Sequence, residues 1–333
     1  MNSIMWRWMQ YCVVRTARWT GLALTLCAWA AHPQGTYPAK PIRLVLVVAT
    51  GGSADAVGRI VAERLTPALG QAVLVENRGG AGGNIASQLV AKAVPDGYTL
   101  LLTANNHNVN ARIYKDAGYD PRRDFVPVVQ LSEGPSVLVT QPGSQFKSLA
   151  QVVDAARAQP RQIAYGSAGF GQPVHIATEL FMTAARIQLT HVPYKGAGPA
   201  LQDALGGQVP LVMSSLAGAM PHIQAGKLRA LVLTGDARWP GLADVPTMAE
   251  AGYPAATHWV WLGIVAPVDT PAAVVERFNR EVNLVLSDAT VRERFLSLGT
   301  APIGGPPVAF AKRLQADFDA VGDLVTRTGM KAE

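Results

Sequence analysis

The chain has 333 residues, with 29 Lys and Arg against 23 Asp and Glu, a formal net charge of +6 and two cysteines. Beyond the first thirty-odd residues no run of Lys and Arg interleaves with aromatics, which sets nucleic acid aside as a partner. Cys12 and Cys27 both lie inside that leader, so the remainder has neither a disulfide framework nor a thiolate metal site.

Residues 1–30 read as a secretory signal peptide. Arg7, Arg15 and Arg18 form a positive n-region without an acid, Thr20 to Ala31 is an apolar run, and Ala28-Trp29-Ala30 supplies an A-x-A cleavage site. A membrane anchor needs about 20 apolar residues, and the run is shorter. Leu24-Thr25-Leu26-Cys27 resembles a lipobox only loosely, because Leu26 is bulky where a small residue is expected. Cleavage removes three arginines and takes the formal charge from +6 to +3.

The first strand, Ile42–Val48, runs into Ala49-Thr50-Gly51-Gly52-Ser53-Ala54-Asp55 and a helix from about Ala56 to Leu69. Strands follow at Ala72–Val75 and Tyr98–Thr103, with a helix at Ile85–Val94 between them. After Thr103 comes Ala104-Asn105-Asn106-His107-Asn108, either an Asn-rich turn and helix cap or a polar surface facing a cleft. The extended stretch Val126–Leu131 and Val137–Thr140, interrupted by Gly134-Pro135, reads as a crossing between lobes.

Past a helix at Leu149–Ala158 the same grammar repeats. Strand Ile163–Gly166 leads into Ser167-Ala168-Gly169-Phe170-Gly171-Gln172-Pro173 and a helix from about Val174 to Ala185. Strands at Gln188–Val192, Val209–Met213 and Arg229–Leu233 alternate with helices at Ala197–Leu205 and Ala217–Ala225. A second crossing falls at Thr257–Pro267. Helices at Ala272–Leu286, Ala289–Leu298 and Val308–Thr326 then pack back on the first lobe. The apolar runs fit buried parallel strands, and their alternation with helices predicts an α/β fold. The expected division is a leader at 1–30, a first lobe at 37–135, a second at 136–258 and a return segment at 259–333. Two crossings make a two-strand hinge, which permits closure about a cleft.

Nucleotide and nucleophile motifs are missing. Gly226-Lys227 is followed by Leu228, so there is no P-loop, and the Rossmann fingerprint fails both at the first loop and around Gly79 to Ile85. Ser167 lacks the preceding glycine of a nucleophile elbow, and the histidines show no metal-type spacing. No cofactor is expected, and no metal ligand or catalytic residue is assigned. What remains is polar and unreactive.

A loop poor in side chains at a helix start leaves N–H groups at the positive end of the helix dipole, where they can hold an anion. Gly51, Gly52, Ser53, Ala54 and Asp55 form one such cradle, with Ser53 and Asp55 as caps; taken alone it is equally a tight βα turn. The second has Ser167 and Gln172 as side-chain donors, Ala168, Gly169 and Gly171 permitting close approach, and His175 in the first helical turn. Two cradles in separate halves point to two lobes gripping one anion. Asn105, Asn106, His107, Ser214 and Ser215, on loops after strands, are candidates for choosing which anion, with Trp261 beside them.

Six segments carry a family resemblance: Tyr37-Pro38-Ala39-Lys40-Pro41-Ile42-Arg43; Val75-Glu76-Asn77-Arg78 with Gly80-Ala81-Gly82-Gly83-Asn84; Pro95-Asp96-Gly97-Tyr98-Thr99-Leu100; His191-Val192-Pro193-Tyr194-Lys195-Gly196; Leu205-Gly206-Gly207-Gln208-Val209; and Asp244-Val245-Pro246-Thr247 with Glu250-Ala251-Gly252. In this order and spacing the chain from Tyr37 onward resembles the Bug-type extracytoplasmic solute receptors of tripartite tricarboxylate transporters. The resemblance implies a type II periplasmic-binding-protein fold of two Rossmann-like lobes. It also implies a ligand carboxylate held mainly by main-chain N–H groups of Gly51 to Asp55 and Ser167 to Gln172.

The implied partners are a small carboxylate (mono- or dicarboxylic, an amino acid or aromatic acid) and membrane transporter subunits, with the receptor a monomer in the periplasm. Two departures stand out. Val47-Val48 replaces the family's Pro-Phe, and Ser214 stands where many members have an acid. The competing readings are a secreted α/β enzyme on an acidic substrate, using Ser167 with His175 or His107 with Asp55, and a ligand sensor for a signalling partner.

Overall fold

The apolar run at Ile42 becomes β1 (Ile42–Leu46), buried at every residue except Arg43 and paired in parallel with β2 (Val73–Asn77) and β3 (Thr99–Ala104). The computed structural model describes residues 37–51 and 53–331, and the fold set out here is that of the unit from Lys40 onward. The predicted leader with Cys12 and Cys27, and Gly52 of the first cradle, lie outside the described residues.

β3 pairs with β9 (Trp259–Pro267), β9 with β4 (Phe125–Thr140), and β4 with β10 (Ala301–Pro302), all antiparallel. β4 is the joint of the molecule. Its first part, Phe125–Pro135, lies against β9, and Ser136–Thr140 lie between β7 (Leu211–Ser215) and β8 (Arg229–Leu233). From β7 the sheet continues in parallel through β5 (Ala164–Ser167) to β6 (Thr190–Pro193). Gly134 and Pro135, expected to interrupt the strand, sit in its ladder opposite Val260 and Trp259. Thr234 ties the two crossings together: its Oγ1 accepts the Ser136 N–H at 2.8 Å and donates to the His258 carbonyl at 2.7 Å.

The expectation of uniformly parallel strands needs one correction. β8 is antiparallel to its only ladder partner among the described strands, β4. It keeps the direction of β5 to β7, as a crossover helix dictates, but β4 lies between it and them.

Helices cover both faces: α1 (Ser53–Leu69), α2 (Asn84–Ala91), α3 (Asn106–Ile113), α4 (Leu149–Ala158), α5 (Pro173–Ala185), α6 (Ala197–Leu205), α7 (Leu216–Gln224), α8 (Ala272–Ser287), α9 (Ala289–Ser297) and α10 (Pro307–Thr328). In the second half the strand period of two sorts the core. Leu138 joins Tyr165, Phe181 and Met213 on one face, while Val137 and Val139 join Val212 and Leu216 on the other. In the first half Val45, Leu101, Trp261, Val265 and Phe310 form the equivalent cluster.

α3 stands where an Asn-rich turn was one expectation. Asparagine is a poor helix former because its amide competes for nearby backbone groups. Here the amides are engaged elsewhere: Asn108 Nδ2 donates to the Leu314 carbonyl at 2.9 Å and to Asp317 at 3.0 Å, and Asn110 Nδ2 donates to Asn84 at 2.7 Å.

Candidate functional site

The loops that follow β1, β2 and β3 in one half, and β5 and β7 in the other, leave the carboxyl ends of parallel strands, where open α/β sheets take ligands. In the first loop Asp55 faces inward. Its carboxylate accepts the Gly51 N–H at 3.0 Å and Asn77 Nδ2 at 3.0 Å, and meets Arg59 at 3.0 Å. Burial alone would raise its pKa, but hydrogen bonds from Arg59, Gly51 and Asn77 prevail and hold it below the ordinary carboxylate value. The charge thus braces the loop. The first-turn N–H groups of α1 have no acceptor within the helix, and Ser53 is half-buried there, with Ala54 and Asp55 buried behind it.

In the second loop Ser167 is fully buried. Its Oγ accepts the Gly169 N–H at 3.1 Å and lies 2.7 Å from His191 Nε2. His175 Nδ1 accepts the Gly171 N–H at 3.2 Å, which places the proton of the neutral ring on Nε2, 3.5 Å from Glu179. The His175 and His191 rings stack at 4.3 Å, and Tyr165 stacks on the far side of His191 at 4.9 Å. Gly169 and Gly171 therefore use their N–H groups internally. The N–H groups of Ala168 and Phe170 make no hydrogen bond among the described residues, and both residues are half-exposed.

The two halves meet at the Gly82 carbonyl. It accepts Asn106 Nδ2 and, at 3.0 Å, Asn110 Nδ2 from the first half, and Gln172 Nε2 at 3.5 Å from the second. Gly171 has φ +72°, and a Cβ there would lie 2.5 Å from Ile113 Cδ1, so a side chain meets both strain and the opposite half. Beside this contact Val109, Ile113 and Val321 pack with Ile176 of α5. On another side Ser53 and Ser215 line one narrow cleft with Pro135, Leu216, Val260 and Leu262.

Other candidate side chains turn into the protein. Asn105 donates to the Trp259 carbonyl at 3.1 Å and accepts the Trp261 N–H at 3.1 Å, pinning the second crossing. His107 is buried between Tyr119 and Phe125, at 5.5 and 4.8 Å between ring centres. Ser214 Oγ donates to the Ser215 carbonyl at 3.1 Å, and Ser215 Oγ caps α7 at the Gly218 N–H, 3.4 Å away. Trp261 packs edge-on against Phe310 in the core, because its strand position faces inward. The pairings of the enzyme reading are not assembled: Ser167 meets His191 and not His175, while Asp55 is bound to Gly51, Asn77 and Arg59. Gly82, Asn110, Phe170 and His191 were not singled out as site residues. The glycine run after β2 was the available signal, being a third side-chain-poor loop at the same end of the sheet.

The buried histidines give this architecture an acid limit. Burial above all pushes His107 and His191 down to about 3 and His258 down to about 4. All three stay neutral in the folded protein, while their unfolded counterparts take up protons near pH 6.5, about the ordinary histidine value. The unfolded state then binds more protons, so their contribution is complete above about pH 6.5 and is lost as pH falls toward the folded values. Urea unfolding followed from pH 7 to pH 4 is expected to show this decline. His107→Phe, whose ring suits the same aromatic site, is expected to flatten it.

Comparison with known proteins agrees with this geometry. The family model described as Tripartite tricarboxylate transporter family receptor matches residues 57–330. A UPF0065 protein from the tcbD-tcbE intergenic region of Pseudomonas sp. strain P51 is 37% identical over 312 residues, 93% of each chain. Protein BugT of Bordetella pertussis is 35% identical over 298 residues, 89% of this chain and 91% of that one. Among solved structures, Rpa4515 of R. palustris with adipate superposes with a TM-score of 0.84 at 34% identity, covering 89% of this chain and 99% of that one. MatC of Rhodopseudomonas palustris with bound malate gives 0.81 at 32% identity, covering 87% and 100%. Among the described residues no helix is long and apolar enough to cross a membrane. The chain belongs to the tripartite tricarboxylate transporter receptor family, the Bug-type solute-binding receptors.

Proposed function

We propose that this protein is a periplasmic receptor, exported by cleavage of residues 1–30, that captures a small carboxylate between two lobes and delivers it to the membrane subunits of a tripartite transporter. One lobe comprises 37–135 with 259–333, the other 136–258, and the receptor works as a monomer. The observation that carries this reading is the convergence of Asn106, Asn110 and Gln172, from opposite halves, on the Gly82 carbonyl. Beside it stand the first turn of α1 and the unengaged N–H groups of Ala168 and Phe170.

Hydrogen bonds to a charged group contribute about 1.5–3 kcal/mol each. Three or four, after desolvation and closure costs, fit a micromolar complex near about −8 kcal/mol. A ligand that touches both lobes only when they approach stabilises the closed state by that difference, and the closed shape is what a transporter reads. The adipate and malate of the two solved relatives support a carboxylate as the cargo. Thermal-shift screening of mono-, di- and tricarboxylates and amino acids is expected to find at least one that raises the melting temperature. Stabilisation by none of them would contradict the receptor reading.

A further inference from the structure

We infer that the acid this receptor takes is charged at one end only: a monocarboxylate with a short apolar or hydroxylated tail. The inference rests on the receptor reading above and concerns the part of the ligand beyond the backbone cradles. Ser53 opens α1 and also lines the narrow cleft that runs to the two crossings, so a ligand held at that helix start extends its other end into this cleft. Pro135, Leu216, Val260 and Leu262 make its walls apolar, Ser53 and Ser215 add hydroxyls, and none of the residues lining it is charged. Ser215 Oγ accepts from Gly218 and keeps its own O–H to donate.

The fixed charges next to the cleft disfavour a second anion. Glu133, the neighbour of the cleft-lining Gly134, is a carboxylate already held by Arg313 at 3.2 Å and Gln130 at 3.2 Å. Asp55, behind Ser53, is a carboxylate already held by Arg59. Both cations are thus engaged by carboxylates of the protein. A second ligand carboxylate in the cleft would leave water for apolar walls with no free cation to meet it, and such a group is costly to bury. A methyl or methylene group gains by the same transfer, and a hydroxyl finds partners in the serines.

Titration calorimetry on the leaderless protein with matched acids tests this: butyrate against succinate, hexanoate against adipate, and 3-hydroxybutyrate against malate. The singly charged member of the tightest-binding pair is expected to bind about tenfold more tightly or better. Equal or tighter binding of the dicarboxylate overturns the inference and leaves the receptor reading standing. Absence of binding by every carboxylate overturns both. Ala217→Lys adds a cation at the cleft, at a half-exposed position that leaves both loops and the Ser215 cap intact. In this variant the preference is expected to shift toward the dicarboxylate. An unshifted preference in the folded variant contradicts the placement of the ligand tail.

Discussion

Phe310→Ala is expected to lower the unfolding free energy by about 3–5 kcal/mol, the cost of emptying a large aromatic site in a packed core. Phe310 is 1% exposed and lies edge-on to Trp261 with 5.5 Å between ring centres. Its ring sits over Gly263, where a Cβ would come within 2.2 Å of Cζ. The sheet gives up a side chain on β9 so that α10 can dock. α10 also carries Asp317, which meets Asn105 at 3.3 Å and Asn108 at 3.0 Å, so loosening the helix loosens the anchor of the second crossing. Chemical denaturation measures the loss. A change below about 1 kcal/mol would show that the site collapses to fill the space, and that α10 does not depend on this ring.

Ser53→Pro is expected to weaken carboxylate binding by about 10- to 100-fold, corresponding to one hydrogen bond to a charged group, with little change in melting temperature. Proline is tolerated at the first position of a helix because the N–H it lacks has no intrahelical acceptor there. The substitution therefore removes a donor and leaves α1 in place. Ser53→Ala keeps that N–H and is expected to bind within a few-fold of the native protein, about the effect of losing an exposed hydroxyl contact. Calorimetry on the pair separates main-chain from side-chain recognition. Native affinity in a folded Ser53→Pro variant would remove α1 from the site.

Much of the fold was legible because local signals agreed with tertiary ones. Helices Leu149–Ala158 and Ala197–Leu205 and strand Arg229–Leu233 were expected at the residues where they occur. The first is bounded by Ser148, whose side chain caps at Gln151, as such residues do. Strand direction was less legible. Periodicity reports which face a residue takes and says nothing of its neighbour's direction, so β8 was expected parallel and lies against the intruding β4. α3 was obscured because the tertiary partners of Asn105, Asn106, Asn108 and Asn110 lie in distant segments.

The same holds at the candidate site. The two side-chain-poor loops were visible as strand–loop–helix grammar, yet which N–H groups stay unengaged depends on Ser167 and His175 folding back onto Gly169 and Gly171. The Gly82 carbonyl, where Asn106, Asn110 and Gln172 meet, exists as a feature only once the halves are in place.

The central claim is that main-chain N–H groups from two loops in separate halves hold one carboxylate. Amide-resolved NMR titration of the isotope-labelled, leaderless protein with a stabilising carboxylate tests it most directly. The amides of Ser53, Ala168 and Phe170 are expected to show the largest shifts and to titrate together with a single dissociation constant. Shifts confined to one loop, or lying elsewhere on the sheet, would contradict the account.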